Sequence, residues 1–224
     1  MDIMKKRCAK EALKYIKDNS IIGLGGGSTI SHLVNYIKEE HIKVKVVTPS
    51  FSTENICIKN GIEVIPTWSV SSIDIAFDGC DEVDYDLNAL KSGGGIHTKE
   101  KIIAKMANEY ILLVDESKVV EKIDFKYPIV LEVIPESMSY VKKVVGSLGG
   151  DISMRSSNSK DGLALSDHGM FLMDVIFDKN KVESIEKLDK VLNEISGVID
   201  TSLFYNIATK ALVVSENGIR EIKK

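Results

Sequence analysis

Cysteine, proline and tryptophan are scarce in this chain of 224 residues, which has three, four and one of them respectively. The cysteines, Cys8, Cys57 and Cys80, are far apart and form no C-x-x-C pair. This spacing excludes a disulfide framework and the common cysteine-based zinc sites. We expect each cysteine to be a small buried apolar side chain in a protein of the reducing cytoplasm.

Positive charge is not in excess either. There are 29 Lys and Arg against 33 Asp and Glu, for a net charge of −4, so no basic patch suited to nucleic acid is indicated. No apolar run approaches the roughly 20 residues needed to cross a membrane. Residues 1–16 are charged and amphipathic, without the apolar core of a signal peptide. We therefore expect a cytoplasmic protein that binds neither nucleic acid nor membranes.

Metal-ligand patterns are missing as well. The four histidines, His32, His41, His97 and His168, have no ligand spacing. The segment from Asp84 to Asn88 begins like a calcium loop, but Ala89 takes the place of the required glycine and Gly95 that of the bidentate glutamate. We expect no metal and no cofactor.

Short apolar runs alternate with helical patterns in the first half of the chain. The runs cover residues 21–24, 44–48, 62–65, 73–77 and 110–114. Because they are continuous rather than alternating, they indicate a parallel sheet that is covered on both faces. The sequence therefore predicts an α/β fold for this half.

The pattern changes near Pro128. Residues 129–203 read as strand, helix, strand, strand, helix and strand, which is the βαββαβ or split βαβ arrangement. Asn217-Gly218 then predicts a hairpin within 211–219, which we expect to return to the first domain. We predict one domain from 1–127 plus 205–224, and a second domain, 128–204, inserted into it.

A glycine turn follows the first strand. Gly25-Gly26-Gly27-Ser28-Thr29 lacks the last glycine of G-x-G-x-x-G, and it has no G-K-[ST] sequence. With Ser28 as the N-cap of the next helix, the backbone amides and hydroxyls here would form an anion site. The alternative is a tight turn with an ordinary cap.

Residues 78–100 are predicted to be one long loop between a buried strand and a helix over 100–109. Asp78 and Asp81 flank Gly79, Lys91 precedes a run of glycines, and Glu100 lies in the first helical turn. A carboxylate base and a cation near an anion pocket are what proton abstraction beside a carbonyl requires. A solvated acidic loop remains the alternative. Cys80 as a nucleophile has no histidine nearby in the sequence to activate it.

Several motifs together resemble ribose-5-phosphate isomerase of the A type, and the resemblance covers the whole chain. They include the glycine turn, Asp78-Gly79-Cys80-Asp81-Glu82, Lys91 with its glycines, Glu100-Lys101, Asp115-Glu116-Ser117-Lys118 and Ser166-Asp167-His168-Gly169. The resemblance implies a Rossmann-like parallel sheet domain with an inserted ferredoxin-like α+β domain. It also implies interconversion of ribose 5-phosphate and ribulose 5-phosphate in the pentose phosphate pathway, without a metal, by a homodimer or sometimes a tetramer.

The resemblance also assigns roles. Glu100 shuttles the proton, Asp78 opens the sugar ring, Asp81 and Lys91 hold and polarise sugar oxygens, and Lys5 and Lys118 join Ser28 and Thr29 at the phosphate. The candidate binding residues are Gly26, Gly27, Ser28, Thr29, Gly79, Ser92, Gly93, Gly94, Lys118 and Lys5. Gly26 stands where the family commonly has threonine, and Ser92 where it has glycine, so Ser92 would be strained if that position needs a positive φ.

Three other functions remain open at this point. One is a sugar-phosphate sensor, since related folds occur in transcriptional regulators. Another is a CoA transferase with a glutamate nucleophile, although no segment suited to the long CoA arm is evident. The third is a phosphosugar deaminase.

Overall fold

Fifteen strands and six α-helices are present in the computed structural model, which describes residues 2–157 and 161–224. The helices are α1 (Asp2–Leu13), α2 (Ser28–Glu39), α3 (Phe51–Lys59), α4 (His97–Met106), α5 (Met138–Ser147) and α6 (Ile185–Asn193). The strands are β1 (Ser20–Leu24), β2 (Val44–Val47), β3 (Glu63–Val64), β4 (Ile73–Asp78), β5 (Glu82–Asp84), β6 (Ala89–Leu90), β7 (Ala107–Asp115), β8 (Val119–Val120), β9 (Ile129–Val133), β10 (Asp151–Met154), β11 (Phe171–Ile176), β12 (Val198–Thr201), β13 (Leu203–Phe204), β14 (Lys210–Ser215) and β15 (Gly218–Lys223). Short 3₁₀ helices lie at Thr67–Ser69, Glu116–Lys118, Pro135–Ser137 and Lys179–Lys181.

The main sheet has seven strands in the order β15-β14-β7-β4-β1-β2-β3, and all neighbours are parallel except β14 and β15. Its strands are apolar runs because both faces are covered. On β7, Ile111 and Leu113 belong to the core with α1 and α2, whereas Tyr110, Leu112 and Val114 belong to the core with α4. The predicted α/β class is confirmed.

The strand order of this sheet reverses between β1 and β4. From β1 the chain continues to β2 and β3 on one side, whereas β4 is followed by β7 on the other side. In open α/β sheets, ligands bind at the carboxyl ends of the strands that flank such a point. The glycine turn leaves the carboxyl end of β1, and Asp78 ends β4. Both segments singled out in the sequence therefore start from the same crevice.

A second sheet contains four antiparallel strands in the order β10-β11-β9-β12. With α5 and α6 it follows the predicted βαββαβ order. Val141 of α5 and Leu192 of α6 pack with Leu131 and Met173 of the sheet. This is the expected ferredoxin-like arrangement, and the C-terminal strand β14 returns to the main sheet beside β7. The domain limits, 1–127 plus 205–224 around 128–204, stay a prediction.

A third, small sheet corrects two predictions. Residues 78–100 are not one long loop, because they contain β5 and β6. The strand predicted within 198–203 ends at Thr201, and β13 pairs instead with β6, giving the order β13-β6-β5-β8. Val83, Ala89 and Leu90 are fully buried there. Because charged residues surround them in the sequence, no continuous apolar run marks these strands.

Candidate active site

The turn after β1 and the segment after β4 meet in a cleft of about 510 Å³. The predicted site residues that line it are Gly26, Gly27, Asp78, Gly79, Asp81, Lys91, Gly93, Gly94, Glu100 and Lys118. Of the other predicted residues, Ser28, Thr29 and Lys5 lie at the start of α2 or on α1, and Ser92 is buried behind the glycines. The fold thus gathers residues from distant parts of the chain into one place.

Lys91 is at the centre of the charged groups in the cleft. Its Nζ lies 3.0 Å from Asp78 Oδ2 and 3.3 Å from Glu100 Oε1, and it donates a hydrogen bond to the Gly79 carbonyl oxygen. The side chains of Lys91, Asp78 and Glu100 are 5%, 6% and 10% exposed. Three acceptors therefore surround the three N–H bonds of a largely dehydrated ammonium.

Burial changes the protonation of these groups. It raises the pKa of Glu100 to about 8, although the neighbouring Lys91 ammonium opposes this change. Burial alone would lower the pKa of Lys91, but the Asp78 and Glu100 carboxylates raise it above its ordinary value. The site therefore combines a permanent cation with a carboxyl group that exchanges its proton near neutral pH, as a general base requires.

Backbone structure fixes both carboxylates. The helix predicted over 100–109 begins three residues earlier, at His97, which places Glu100 in the first turn with its amide donating to the Ile96 carbonyl oxygen. Asp78 Oδ1 accepts a hydrogen bond of 2.8 Å from the Gly79 amide. Both side chains therefore leave ordered backbone and point to the same ammonium.

Tyr110 on β7 is a partner of Asp78 that the sequence did not reveal. Its hydroxyl lies 3.4 Å from Asp78 Oδ2, and its ring stacks on Phe204 at 6.1 Å between centroids. Burial, and then the Asp78 charge, raise the pKa of Tyr110 well above its ordinary value. The phenol therefore keeps its proton and serves as a neutral donor to Asp78.

The start of α2 corrects the predicted cap. Gly27 is the N-cap, with a φ of 95°, a conformation that glycine adopts without a steric penalty, so Ser28 is the first helical residue. No side chain caps the helix, which leaves amides of its first turn available to an anion. Ser28 Oγ accepts a hydrogen bond of 2.8 Å from Lys5 Nζ. A cation from α1 thus lies at the same helix end.

Lys118 and Asp81 also line the cleft. Lys118 Nζ donates a hydrogen bond of 2.6 Å to the Cys80 carbonyl oxygen, and Asp81 Oδ2 accepts one of 3.0 Å from the Gly93 amide. Burial raises the pKa of the Cys80 thiol to about 12, so it is protonated at neutral pH. This protonation argues against Cys80 as a nucleophile.

The two departures from the family pattern are accommodated without strain. Ser92 does not have a positive φ, and its hydroxyl donates a hydrogen bond to the Pro128 carbonyl oxygen. At Gly26, an added Cβ would come no closer than 3.5 Å, to Ser50 Oγ. Neither position therefore distorts the backbone of the cleft.

Several residues of the cleft carry no signal in the sequence that would assign them a role. Ser50 and Phe51 enter it from the start of α3, and Asp167 enters it from the inserted sheet region. Asp167 Oδ2 lies 2.7 Å from Lys99 Nζ of α4. No local pattern places Asp167 near Glu100, which is 67 residues away, and only the family resemblance drew attention to its segment.

A larger groove of about 950 Å³ is bordered by Asp84, Asp124 and Tyr205. Its most buried acid, Asp84, accepts hydrogen bonds from the Asp86 and Asn88 amides and therefore stabilises the turn between β5 and β6.

Within residues 2–157 and 161–224, no group of three or more His, Cys, Asp and Glu is arranged to hold a metal ion. In the same ranges, no helix has the length and apolar character of a membrane span.

A buried carboxyl group beside a fixed cation, with an uncapped helix start at the switch point of a parallel α/β sheet, is suited to binding a phosphorylated substrate and to transferring a proton. The family model of ribose 5-phosphate isomerase A (phosphoriboisomerase A) matches residues 45–218. Ribose-5-phosphate isomerase A of Methanocaldococcus jannaschii is 38% identical over 99% of this chain and 98% of its own length. The enzyme of Thermococcus kodakarensis is 37% identical over the same shares.

Solved structures agree with the sequence matches. Ribose 5-phosphate isomerase A from Methanocaldococcus jannaschii superimposes with a TM-score of 0.92 and 36% identity, over 99% of both chains. A D-ribose-5-phosphate isomerase in complex with phospho-erythronic acid superimposes with a TM-score of 0.93 and 33% identity, over 99% of this chain and 98% of that one. This chain belongs to the ribose 5-phosphate isomerase A family. A DeoR C-terminal sensor domain model matches residues 3–71, which end before Asp78.

Proposed function

We propose that this chain interconverts D-ribose 5-phosphate and D-ribulose 5-phosphate through a cis-enediolate, as an aldose–ketose isomerase of the non-oxidative pentose phosphate pathway. The observation that carries this proposal is the buried Lys91 ammonium, which lies 3.0 Å from Asp78 and 3.3 Å from Glu100. This arrangement supplies a base and a cation for proton transfer beside a carbonyl group.

Glu100 is the proposed base. Its carboxylate removes the proton from C2 of the open-chain aldose, and the electron pair of the broken C–H bond forms the C1–C2 double bond of the enediolate. The O2 hydroxyl proton passes to O1 of the enediolate. The electron pair left on O2 then forms the carbonyl at C2, while the C1–C2 double bond takes the proton back from the carboxyl group at C1. Its pKa of about 8 supports this role, because a base whose pKa lies near the working pH both accepts and returns protons readily.

Lys91 is the proposed stabiliser of the enediolate oxygen, and Asp81 holds sugar hydroxyls beside it. The ammonium is fixed before substrate arrives, so little reorganisation is needed when negative charge develops. Because its present acceptors are Asp78, Glu100 and the Gly79 carbonyl, an incoming sugar oxygen must share or replace one of them.

Asp78 is the proposed acid–base group for opening the furanose ring. It lies next to the cation and accepts from the Tyr110 hydroxyl, which keeps its carboxylate in a defined orientation. Ring opening transfers a proton between the anomeric hydroxyl and the ring oxygen, and a carboxyl group can accept one and donate the other.

The phosphate is proposed to bind at the start of α2. The uncapped first turn supplies amides, Ser28 and Thr29 supply hydroxyls, and Lys5 and Lys118 supply positive charge. Gly26, Gly27, Gly79, Gly93 and Gly94, which line the cleft, are the further proposed contacts to the sugar phosphate, together with Ser92.

The decisive experiment is to mix the purified protein with ribose 5-phosphate in excess chelator and to follow ketose formation. Rapid formation of ribulose 5-phosphate supports the reaction and its independence from a labile metal. Binding without conversion would favour the sugar-phosphate sensor. A covalent glutamyl adduct detected by mass spectrometry with an acyl-CoA would favour the transferase, and ammonia release from glucosamine 6-phosphate would favour the deaminase.

The assembly and the compartment belong to this proposal as well. A homodimer in the cytoplasm follows from the family resemblance. Phe51 and Ile58, 78% and 60% exposed, lie seven residues apart on α3 and so share one helix face, which supports an interface there. Analytical ultracentrifugation of the wild type and of Ile58→Glu tests it, and a monomeric wild type would refute the dimer.

A further inference from the structure

Arg155 connects the inserted sheet to residues 92–95, the glycine segment that follows Lys91 beside the cleft. It directly follows β10, and its amide donates to the Leu172 carbonyl oxygen while its own carbonyl accepts from the Ala164 amide. Its Nη2 donates to the Ser92 carbonyl oxygen at 2.8 Å, and its Nη1 donates to the Gly93 carbonyl oxygen at 3.1 Å. A side chain fixed in the inserted sheet thus holds two consecutive carbonyls of the segment that borders the cleft.

Asp174 on β11 holds the adjacent edge of the guanidinium, which is formed by Nε and Nη2. Arg155 Nε and Nη2 donate to Asp174 Oδ1 at 3.0 and 2.6 Å, and the two side chains are 18% and 27% exposed. The planar guanidinium presents donors on both edges at once, which restricts its orientation. A lysine has one point charge and cannot bind Asp174 and both carbonyls in the same way.

The hydrogen bonds from Arg155 to the Ser92 and Gly93 carbonyls, called the clamp below, also set the direction of the Gly93 and Gly94 amides. Every peptide bond among the described residues is trans, so each N–H points away from the carbonyl that precedes it. The Ser92 carbonyl faces Arg155, and the Gly93 N–H accordingly faces the other way, where it donates to Asp81 Oδ2 at 3.0 Å. The Gly93 carbonyl also faces Arg155, so the Gly94 N–H points toward the cleft that Gly93 and Gly94 line.

Fixed amides matter here because glycine has the greatest backbone freedom of any residue. Gly93, Gly94 and Gly95 are consecutive, and a mobile segment would have to become ordered whenever a ligand binds. Such ordering reduces affinity, and preorganisation restores it. Lys91, in contrast, is held by Asp78, Glu100 and the Gly79 carbonyl without help from Arg155.

We propose that Arg155 is a positioning residue that presets the backbone of residues 92–94 for the phosphosugar. This inference rests on the proposed function, and it assigns to the inserted sheet an indirect part in substrate binding. Arg155 acts through the glycine backbone, so its removal affects binding more than proton transfer.

The kinetic test compares Arg155→Met with Arg155→Lys and with Arg7→Met as a matched control. Arg7 is exposed on α1, and the hydrogen bond found for its side chain goes to the Ser215 carbonyl. We expect KM to rise roughly tenfold in Arg155→Met, about 1.4 kcal/mol, with kcat within about threefold of wild type. Arg155→Lys and Asp174→Asn should give smaller increases in KM, and Arg7→Met none. An unchanged KM, or a parallel loss of kcat and thermal stability, would overturn the positioning role.

Hydrogen exchange of the ligand-free protein tests the clamp without any substrate. We expect amides of residues 93–95 to exchange faster in Arg155→Met than in wild type, while the amides of β4 keep their rates. Equal exchange rates in the two proteins would overturn the clamp. A wild type that does not turn over ribose 5-phosphate would defeat the proposed function, and the exchange rates would still decide whether Arg155 orders the segment.

Discussion

Lys91 Nζ and Glu100 Oε1 lie 3.3 Å apart, and neither side chain is more than 10% exposed. In water such a pair would hold its carboxyl group fully ionised near neutral pH. Here burial outweighs the attraction and raises the pKa of Glu100 to about 8. The cation is thus close enough to stabilise an enediolate oxygen, and the carboxylate still remains basic enough to take a proton from carbon.

Replacing Glu100 by Gln should reduce kcat by roughly 10²–10⁴-fold, the usual contribution of general acid–base catalysis. Gln keeps the size and the polar contacts of the side chain but cannot accept the proton. Binding of ribose 5-phosphate, measured by calorimetry, should stay close to wild type. Glu116→Gln, which changes an exposed carboxylate paired with Arg220, is the control and should keep full activity. Wild-type turnover in Glu100→Gln would remove Glu100 from the mechanism.

The pH dependence of kcat/KM should report the same carboxyl group in the free enzyme. Because burial raises the pKa of Glu100 to about 8, the basic form is lost as the pH falls below that value. We therefore expect kcat/KM to decline on the acid side of about pH 8, with one proton taken up. A profile that is flat from pH 6 to 9 would contradict the raised pKa.

Thermal stability should show the linked effect. The folded-state pKa of Glu100 is higher than its unfolded value near 4.5, so the folded protein binds the extra proton between about pH 4.5 and 8. The stability that this proton contributes is complete below the unfolded pKa and is lost as the pH rises through the folded pKa. Glu100→Gln has no carboxyl proton to lose, so its stability does not change with pH in this way. The melting temperature of this variant minus that of wild type should therefore increase as the pH is raised from about 4.5 to 8.

Lys91→Met should destabilise the protein by about 3–5 kcal/mol near pH 8, because it leaves buried carboxylates without their cation. Lys91 is 5% exposed, and water cannot easily replace it. The loss should diminish at pH 5, where Glu100, whose pKa burial raises to about 8, holds its proton. Urea unfolding at pH 5 and pH 8 measures both values. Lys45→Met, which removes the cation of an exposed pair with Glu63, should change stability little at either pH.

The sequence predicts an element of this structure well where the residues that determine it are neighbours in the chain. β1 is a short apolar run that the glycine turn follows, and β4 is a mostly apolar run that ends at Asp78. β5 and β6 carry no such run, because Val83 and Leu90 are buried by distant segments rather than by an apolar neighbourhood in the sequence. The Ser28 cap was assigned wrongly because the positive φ of Gly27 moves the helix start by one residue.

The contacts of Tyr110 and Arg155 carry no local signal at all. Tyr110 reaches Asp78 only because β7 pairs with β4, and Arg155 reaches Ser92 across 63 residues. Both are set by sheet pairing and by the packing of the inserted sheet. Sequence patterns and the family resemblance therefore predicted many of the residues that line the cleft, whereas the side chains that orient them became visible only in the structure.

Gly25 should tolerate no side chain, because an added Cβ would lie 2.0 Å from the Asp78 carboxyl carbon. The backbone of Gly25 cannot easily retreat, since its amide donates to the Phe77 carbonyl oxygen at 2.9 Å and its carbonyl accepts from Thr53 Oγ1 at 2.7 Å. Asp78 must therefore move, and this separates it from Lys91. We expect Gly25→Ala to lose most of its kcat and to be destabilised by about 1–3 kcal/mol, as overpacked cores are.

Gly26→Ala is the matched control for this prediction. Its Cβ would be 3.5 Å from Ser50 Oγ, an ordinary contact, and neither glycine has a positive φ that would add backbone strain. The unfolding free energy should therefore stay near wild type in Gly26→Ala. The double variant Gly25→Ala/Asp78→Ala should be less destabilised than the sum of the single variants, because the second change removes the atoms that clash. Additive losses of stability would show that Gly25 and Asp78 do not interact, and the steric argument would then be wrong.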